Sequence, residues 1–410
     1  MHHSASPIVG GVESVMGHHA RLMAAAGHAV SILAARGERM DTRIPFFSIP
    51  LVDSLHPEVL TAKRSLDRGE VPVQFSVLVQ RLVETLGTVL EDADRVIAHN
   101  VCSLNKNLAL TAALYELSRA HGPGWLILWH HDLAWTTPRY RSELYPGYPW
   151  DLLRTPWPDA VQVTISEFRR KELARLMGIP EDRISVVPNG VDLDDFLKLD
   201  EQTVALDREL ALSSAFPLLL LPVRITPRKN IELALNVTAA LRKKYPEAAL
   251  IVTGPPGPHN PKNASYLQKL KGLQTELDLE QAVHFLAEFA GGPLPELVVG
   301  DLYRLADALI LPSREEGFGI PVLEAGLAGL PAFCADIPPL RELGEGGVDF
   351  FPLEAQPARV AALIMDRLES SPVFHLRRRV RRDFTWERIY QERIEPLLEG
   401  GSGRAIKPVP

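Results

Sequence analysis

The sequence predicts an α/β protein built from two doubly wound domains with parallel sheets. Short apolar runs alternate with segments whose apolar residues recur at helical spacing, which is typical of repeated strand–helix–strand units. The alternation stops in a polar, loop-like stretch at 189–214 and starts again at the almost wholly apolar run 217–223. A restart after a polar break predicts two successive domains facing a cleft.

Composition narrows the class of protein. The 410 residues suffice for two or three domains, and the 46% hydrophobic and 23% charged residues are ordinary for a globular protein. A net charge of −7 argues against a general nucleic-acid binder. Cys102 and Cys334 fit no metal-ligand spacing and are expected to be buried thiols. With no apolar run of the ~20 residues that span a bilayer and no signal-peptide pattern, we expect a soluble cytoplasmic enzyme.

Each half of the chain supplies its own series of elements. Strands are predicted in the first half near 29–33, 95–98, 125–129, 160–165 and 184–187, with helices near 12–26, 75–90, 104–120 and 167–177. Strands are predicted in the second half near 217–223, 248–252, 282–286, 306–311 and 332–335, with helices between them. A last helix is expected at 386–398.

One stretch carries most of the functional information. Behind the apolar strand 308–311 come Pro312-Ser313, Glu316-Gly317-Phe318-Gly319, Pro321 and Glu324-Ala325. Pro321 suits a first helical position, which places Glu324 in the first turn and points the amides of residues 318–322 into the cleft. Anions and phosphorylated sugars bind at such helix N-termini above a sheet. An acidic residue there also serves simply to stabilise the helix dipole.

This motif resembles the donor-sugar motif of the retaining GT-B glycosyltransferases of family four. The resemblance implies a GT-B fold with two Rossmann-like domains: an N-terminal acceptor-side domain at 1–190 and a C-terminal nucleotide-sugar domain at 191–384. The segment 385–410 would return to the first domain. The resemblance also assigns the donor sugar to Glu316 with the amides of Gly317, Phe318 and Gly319, and the ribose hydroxyls to Glu324.

A basic loop follows the strand 217–223, with Arg224, Arg228 and Lys229 in its sequence. A transferase that uses a sugar nucleotide must neutralise a leaving diphosphate, either with a metal or with fixed cations. A solvated loop is the alternative interpretation. The resemblance places Arg224 and Lys229 at the diphosphate, leaves Arg228 at the surface, and implies that no metal or other cofactor is needed.

The N-terminal loop contains Gly10-Gly11 before a helix, so no side chain blocks the approach of a ligand to its backbone. In the resembling family this loop approaches the donor phosphates and sugar. A full dinucleotide-binding glycine fingerprint is absent, which argues against a nicotinamide or flavin site. The family's first strand is missing here or reduced to residues 1–5, which suggests a start codon assigned too late or a truncated chain.

His130 and His131 end a predicted strand, where a histidine can face a sugar or its nucleophile, although packing explains such residues equally well. The resembling family has a functional histidine in this region, and the sequence leaves open which of the two corresponds to it. His99-Asn100 is a weaker candidate for acceptor contact.

Other features admit two interpretations each. The aromatic residues of loop 132–157 suit either an acceptor sugar or packing of the loop. The basic runs 168–171 and 377–382 suit a solvated or interdomain face, or contact with a membrane. Asp192, Asp194 and Asp195 suit a turn rather than a metal cluster. Ser166 is expected to cap a helix, and 253–255 to end a strand.

The sequence thus predicts a retaining transferase that moves a hexose from a nucleotide-diphosphate sugar to a sugar, sugar-phosphate or lipid-linked acceptor. Three alternatives remain. A disaccharide phosphorylase or synthase would use the same fold, a sugar-nucleotide epimerase would need no acceptor, and a nucleotide-sugar-binding subunit would have lost turnover.

Overall fold

The computed structural model describes residues 1–257 and 262–399. The chain forms two compact units, one of residues 1–190 together with the chain from Phe384 onward, and one of residues 191–383. Each unit is a parallel sheet with helices, as the alternating pattern predicts.

The first unit contains short parallel strands and longer helices. Its strands are β1 Ile32–Ala34, β2 Phe46–Ser48, β3 Val96–His99, β4 Leu126–His130, β5 Val161–Thr164 and β6 Ile184–Val186. Its first helices are α1 Gly11–Ala25, α2 Pro57–Leu66, α3 Val73–Val89, α4 Leu108–His121 and α5 Glu167–Met177. Strand β2 and helix α2 were not predicted. β2 is only three residues long and mostly exposed, which makes it hard to recognise from the sequence.

Residues 1–5 occupy the central position of this sheet. On one side the His2 amide donates to the Leu33 carbonyl of β1 at 3.2 Å, and the Ala5 amide donates to Arg36 at 2.8 Å. On the other side the His99 amide of β3 donates to the Met1 carbonyl at 3.0 Å. Residues 1–5 therefore lie between the two-stranded sheet β1-β2 and the four-stranded sheet β3-β4-β5-β6, bonded to both.

The C-terminal helical segment packs in the first unit. It consists of α16 Trp386–Ile389, a π-helical turn Tyr390–Ile394 and α17 Glu395–Glu399. Trp386, Ile389 and Ile394 share a buried apolar cluster with Val15 of α1 and Trp129 of β4. This contact explains why the chain from Phe384 onward belongs to the first unit.

The second unit is a six-stranded sheet in the order β12-β11-β10-β7-β8-β9. The strands are β7 Leu218–Leu221, β8 Ala249–Val252, β9 Val283–Phe285, β10 Ala308–Leu311, β11 Ala332–Ala335 and β12 Asp349–Phe351. The helices are α6 Leu193–Leu197, α7 Glu201–Leu210, α8 Ile231–Arg242, α9 Lys262–Glu276, α10 Leu286–Phe289, α11 Glu296–Leu305, α12 Ile320–Ala328, α13 Pro338–Leu343, α14 Pro357–Glu369 and α15 Pro372–Asp383. The four leucines of β7 are completely buried, as expected for a strand covered on both faces.

The prediction of a loop at 189–214 is wrong for most of that stretch, which forms α6 and α7. Asp192 caps α6 by accepting the Asp195 amide at 2.9 Å, so this acidic cluster is turn chemistry. Asp200 caps α7 in the same way. Polar caps on short helices give little apolar periodicity, which is why the sequence pattern suggested a loop.

The basic run at 377–382 anchors α15 to its own unit. Arg381 donates to the carbonyl of Ser213 at 2.9 Å and to Asp307 at 3.0 Å. The Arg378 guanidinium lies 3.7 Å from the centre of the Phe216 ring. Arg382 is paired with the adjacent Asp383. Arg378 and Arg381 thus pack within their own unit, which differs from the solvated or interdomain face that was expected.

Six histidines are buried in the first unit, and burial lowers the pKa of each. The pKa is lowered to about 3 for His2 and His19, to about 4 for His3, His130 and His131, and well below its usual value for His99. Neither ring nitrogen of His19 has a hydrogen-bond partner among the described residues. These imidazoles are therefore neutral in the folded protein at pH 7.

Acidification should destabilise the first unit. An unfolded chain binds protons at these histidines below about pH 6.5, whereas the folded chain does not until about pH 4, so stability present above pH 6.5 is lost as the pH falls. His19→Leu should lower the slope of unfolding free energy against pH, between pH 6 and 5, by about 1.4 kcal/mol per unit. Denaturant titrations across this range measure the slope.

The matched control is His28→Leu, at an exposed histidine that follows α1. This control should leave the slope as in the parent. An unchanged slope in the His19→Leu variant would show that His19 is protonated in the folded state.

Candidate functional site

The topology of the second unit selects one place for a ligand. β7 lies between β8 and β10, so the chain leaves β7 to one side of the sheet and later returns to its other side at β10. In open parallel sheets the crevice at such a switch point, outside the carboxyl ends of the strands, is where ligands bind. The loops 224–230 and 312–319 follow β7 and β10, and both flank this crevice.

A buried ion pair connects the two loops. The Lys229 Nζ lies 2.5 Å from Glu316 Oε1, and the two side chains are only 10% and 8% exposed. The Ser313 hydroxyl donates to the same oxygen at 2.7 Å. Glu316 is therefore held from two directions, while Lys229 retains two further N–H donors for another partner.

Further hydrogen bonds fix the loops against each other. The Arg314 amide donates to the Arg228 carbonyl at 2.8 Å, and the Asn230 side chain donates to the Pro312 carbonyl at 3.2 Å. Asn230 has a positive φ of 51°, which asparagine tolerates better than most residues. The two loops form one rigid wall of the crevice.

The glycine turn ends at Gly319, and α12 begins at Ile320. Gly319 has a φ of 109°, and a Cβ there would lie 2.6 Å from the Leu340 side chain, so the turn needs glycine. Within the described residues, the amides of Gly317, Phe318, Gly319 and Ile320 make no backbone hydrogen bond. They are available to an anion at the helix N-terminus.

Two details of the predicted turn are wrong. The Val322 amide is not free, because it donates to the Gly319 carbonyl at 2.9 Å. Glu324 is the fifth residue of α12 and lies beyond its first turn, since the helix begins one residue before Pro321. Glu324 remains exposed, and its Oε2 accepts the Tyr303 hydroxyl at 2.5 Å.

Arg224 is exposed and, among the residues that the structure describes, makes no hydrogen bond or ion pair. It lies three residues after β7, beside Gly254, where a Cβ would be 2.4 Å from the Val223 carbonyl oxygen. Arg228 is also exposed, as predicted, and donates to the Glu315 carbonyl at 3.2 Å. Arg224 is thus a cation available to a ligand, whereas Arg228 supports the wall.

In the first unit, His130 and His131 have different surroundings. His130 lies inside β4, and its Nε2 lies 2.8 Å from Gln162 Oε1 of β5. His131 follows the strand, and its Nε2 has no partner in the described part of the chain. Asn100 Oδ1 accepts the amides of His131 at 3.1 Å and Asp132 at 3.0 Å, which fixes this turn. His131 is therefore the better placed of the two to meet a ligand.

Gly10 and Gly11 begin α1, as predicted, with Gly10 as its extended N-cap. No atom lies within 4 Å of a Cβ placed on Gly11, so the loop is open there. Glu13, in the first turn, accepts the Ser4 hydroxyl at 2.6 Å, and its Oε1 lies 3.9 Å from His2 Nε2. This loop follows residues 1–5, which lie between β1 and β3.

The aromatic loop mostly packs on itself. Trp150 and Trp157 are buried, Tyr145 lies edge-on to Trp150, and the Arg154 guanidinium lies 4.1 Å from the centre of the Trp135 ring. These contacts favour the packing interpretation of the loop. At the start of α5, Ser166 accepts the Arg169 amide at 3.2 Å and is the predicted helix cap.

The described residues lack two kinds of feature. They hold no group of three or more histidine, cysteine, aspartate or glutamate side chains that could bind a metal ion. None of their helices has the length and apolar character to cross a membrane.

Sequence reasoning missed one residue of the site, Tyr303, and the hydrogen bonds of two others. Ser313 belongs to the motif and Asn100 was named as a weaker candidate for acceptor contact, but their hydrogen bonds to Glu316 and to the His131 amide were not predicted. Tyr303 falls at a buried position of α11 and looks like an ordinary core residue. Only its hydroxyl group distinguishes it from phenylalanine, and a buried hydroxyl needs a partner.

The buried pair should be strongly coupled in stability. Lys229→Met or Glu316→Gln alone leaves its partner buried and unpaired, so each should lower the free energy of unfolding by about 3–5 kcal/mol. The double variant should lose much less than the sum. Denaturant unfolding of the four proteins measures this cycle.

The exposed pair Lys244–Glu369 of the same unit provides the control, with side chains 70% and 42% exposed. The corresponding changes there should cost about 1 kcal/mol or less. Additive losses at Lys229 and Glu316 would contradict the proposed coupling.

Comparison with known proteins agrees with this architecture. The family model described as Glycosyltransferase Family 4 matches residues 9–195, and that described as Glycosyl transferases group 1 matches residues 205–383. A D-inositol 3-phosphate glycosyltransferase of Nocardia farcinica is 34% identical over 173 residues, which cover 41% of this chain and 35% of the relative. A mannosylglucosylglycerate synthase of Petrotoga mobilis is 28% identical over 268 residues, 60% of each chain.

These matches thus span 35% and 60% of the relatives' own lengths. Among solved structures, WaaG, a glycosyltransferase involved in lipopolysaccharide biosynthesis, is 16% identical, with 97% of this chain and 96% of that chain covered and a TM-score of 0.34. Because the two family models together account for residues 9–195 and 205–383, the chain belongs to the group 1 glycosyltransferases of family 4, which have the GT-B fold.

Proposed function

We propose that the protein is a retaining glycosyltransferase that moves a hexose from a nucleotide-diphosphate sugar to a hydroxyl group of an acceptor with an anionic substituent. The main support is the crevice at the β7/β10 switch point. There Lys229 is paired with Glu316, the residue before the open amides of 317–320, and Glu324 follows in α12. Arg224 lies exposed in the loop that follows the adjacent strand β7.

The proposed roles follow from this chemistry. The diphosphate lies against Arg224, the remaining N–H groups of Lys229 and the open amides, which together neutralise the charge that develops as it leaves. Glu316 holds donor-sugar hydroxyls, and Glu324 holds the ribose hydroxyls. Fixed cations and amides take the place of a catalytic metal in this proposal, so activity should persist in a chelator.

The proposed reaction proceeds on one face of the sugar. The bond between the anomeric carbon and the phosphate oxygen breaks, and the acceptor oxygen forms its bond to that carbon from the same side. The acceptor proton passes to the departing phosphate. Products are a nucleoside diphosphate and a glycoside of unchanged anomeric configuration. Mass-spectrometric trapping of a glycosyl–enzyme adduct would overturn this mechanism in favour of a covalent intermediate.

His131 is proposed as the sugar-binding histidine of the first unit. Burial lowers its pKa to about 4, so its imidazole is neutral at pH 7 and serves as a hydrogen-bonding group rather than a cation. Asn100 holds the turn that carries it. His130 is not assigned to the sugar, because its Nε2 is already hydrogen-bonded to the side-chain oxygen of Gln162.

An anionic acceptor is suggested by two observations. The names of the two relatives, an inositol 3-phosphate glycosyltransferase and a glycerate glycoside synthase, both include an anion. In this chain Lys106 lies in the loop after β3. Burial is the main cause of the lowered pKa of His2 and His3, and the charge of Lys106 adds a smaller effect. Lys106 forms no hydrogen bond or ion pair within residues 1–257 and 262–399, so it is available to an anionic group.

Donor use is tested by incubating the protein with an equimolar mixture of UDP-, GDP- and ADP-sugars and candidate acceptors, followed by mass spectrometry. One donor should be consumed with formation of a glycoside. Arg224→Ala should lower kcat/KM for that donor by ~10- to 100-fold, because it removes a charge-assisted contact of about 1.5–3 kcal/mol. Arg228→Ala, in the same loop, is the matched control and should retain most of the activity.

The outcomes separate the alternatives. Consumption that requires inorganic phosphate would indicate a phosphorylase, and conversion of the donor without an acceptor would indicate an epimerase. Binding of a donor without turnover would indicate a silent subunit. Equal losses in the Arg224 and Arg228 variants would place the diphosphate elsewhere.

The acceptor proposal predicts a separate effect of Lys106→Ala. This change should raise KM for a phosphorylated acceptor by ~10-fold or more, because it removes one charge-assisted hydrogen bond to the acceptor. The value of kcat at saturating acceptor should be largely retained. The exposed Lys171 of α5 provides a matched control, Lys171→Ala. An unchanged acceptor KM in the Lys106 variant would rule out this role for Lys106.

A further inference from the structure

We propose that Tyr303 is a positioning residue that fixes Glu324 for the two ribose hydroxyls of the donor, so that its hydroxyl group sets the affinity for nucleoside diphosphates. This inference rests on the proposed function, and it adds a residue outside the donor motif. It also predicts that the site selects ribonucleotides over nucleotides without these hydroxyls.

The geometry places the hydroxyl directly on the carboxylate. Tyr303 lies in α11 and is 5% exposed, whereas Glu324 lies in the neighbouring α12 and is exposed. The Tyr303 hydroxyl donates to Glu324 Oε2 at 2.5 Å. An exposed glutamate normally samples several rotamers in water, and this bond to a buried partner selects one of them.

The bond leaves capacity for a ligand on the carboxylate. A carboxylate has two oxygens and about four lone-pair sites. Tyr303 uses one site on Oε2, so Oε1 and the second site of Oε2 stay open to two hydroxyl donors. Adjacent hydroxyl groups on a ribose ring form such a pair of donors.

The hydroxyl keeps its proton under all working conditions. Burial, with the hydrogen bond to Glu324 and its negative charge, raises the pKa of Tyr303 far above its usual value. Tyr303 therefore acts as a constant donor to the carboxylate. Among the described residues, Glu324 is the one hydrogen-bond acceptor that the Tyr303 hydroxyl contacts.

The experiment is a binding titration of the whole protein with UDP, GDP and ADP, followed by the 2′,3′-dideoxy form of the nucleotide that binds. Tyr303→Phe should weaken binding of the ribonucleotide by ~3- to 10-fold, because the Glu324 side chain must then be ordered by the ligand on binding. It should leave the affinity for the dideoxy form unchanged. At saturating donor, kcat should also be unchanged.

Tyr245→Phe is the matched control. Tyr245 also donates its hydroxyl to a carboxylate, that of Glu369, but it lies between α8 and β8, at the amino edge of the sheet. This variant should bind both forms as the parent does. If Tyr303→Phe lowers stability, the comparison is repeated in a Glu324→Ala background, where Tyr303→Phe should cause no further loss.

Three results would overturn the inference. Equal affinity losses for the ribo and dideoxy forms would show a general structural effect, and an unchanged affinity for the ribonucleotide would show that Tyr303 does not preset Glu324. Absence of nucleoside-diphosphate binding by the parent protein would remove the proposed function together with the inference. The first two results leave the proposed function intact, so the two failures can be told apart.

Discussion

The buried pair of Lys229 and Glu316 is the interaction on which the candidate donor site depends. Both charges are almost removed from water, and each would be costly to leave without the other. Ser313 adds a second donor to Glu316, and the hydrogen bonds of Arg314 and Asn230 hold the same two loops. A ligand thus meets preset groups and need not order the loops itself. Such preorganisation favours stabilisation of charge that develops only during reaction.

Sheet topology explains why Lys229 and Glu316 meet although 87 positions separate them along the chain. β7 and β10 are adjacent and parallel, so the loops that follow them leave the same edge of the sheet. The first unit repeats this arrangement, with Gly10-Gly11 after the central segment and Asn100 after β3. There the polar groups are neutral histidines rather than an ion pair, because burial lowers their pKa values. One unit therefore presents fixed charge, and the other presents mainly hydrogen-bonding groups.

Much of this was predictable from local sequence. Wholly apolar runs located β7 and β10, and the glycine turn with its two glutamates located the motif, because these features depend on neighbouring residues. The helices α6 and α7 were missed because polar caps, rather than apolar periodicity, define them. The predicted position of Glu324 in its helix was off by one residue, which places it beyond the first turn, because α12 begins at Ile320 rather than at Pro321. The hydrogen bonds of Tyr303 and Asn100 join residues that are distant in sequence, so they cannot be predicted until the fold is known.

The central claim is that the crevice at the β7/β10 switch point binds the nucleotide of the donor. A crystal structure of the protein with the nucleoside diphosphate of its preferred donor tests this most directly. The account predicts phosphate density beside Arg224 and the amides of residues 317–320, with the ribose hydroxyls on Glu324 and the Lys229–Glu316 pair still formed. Nucleotide density at another edge of the sheet, or a diphosphate remote from Arg224, would contradict it.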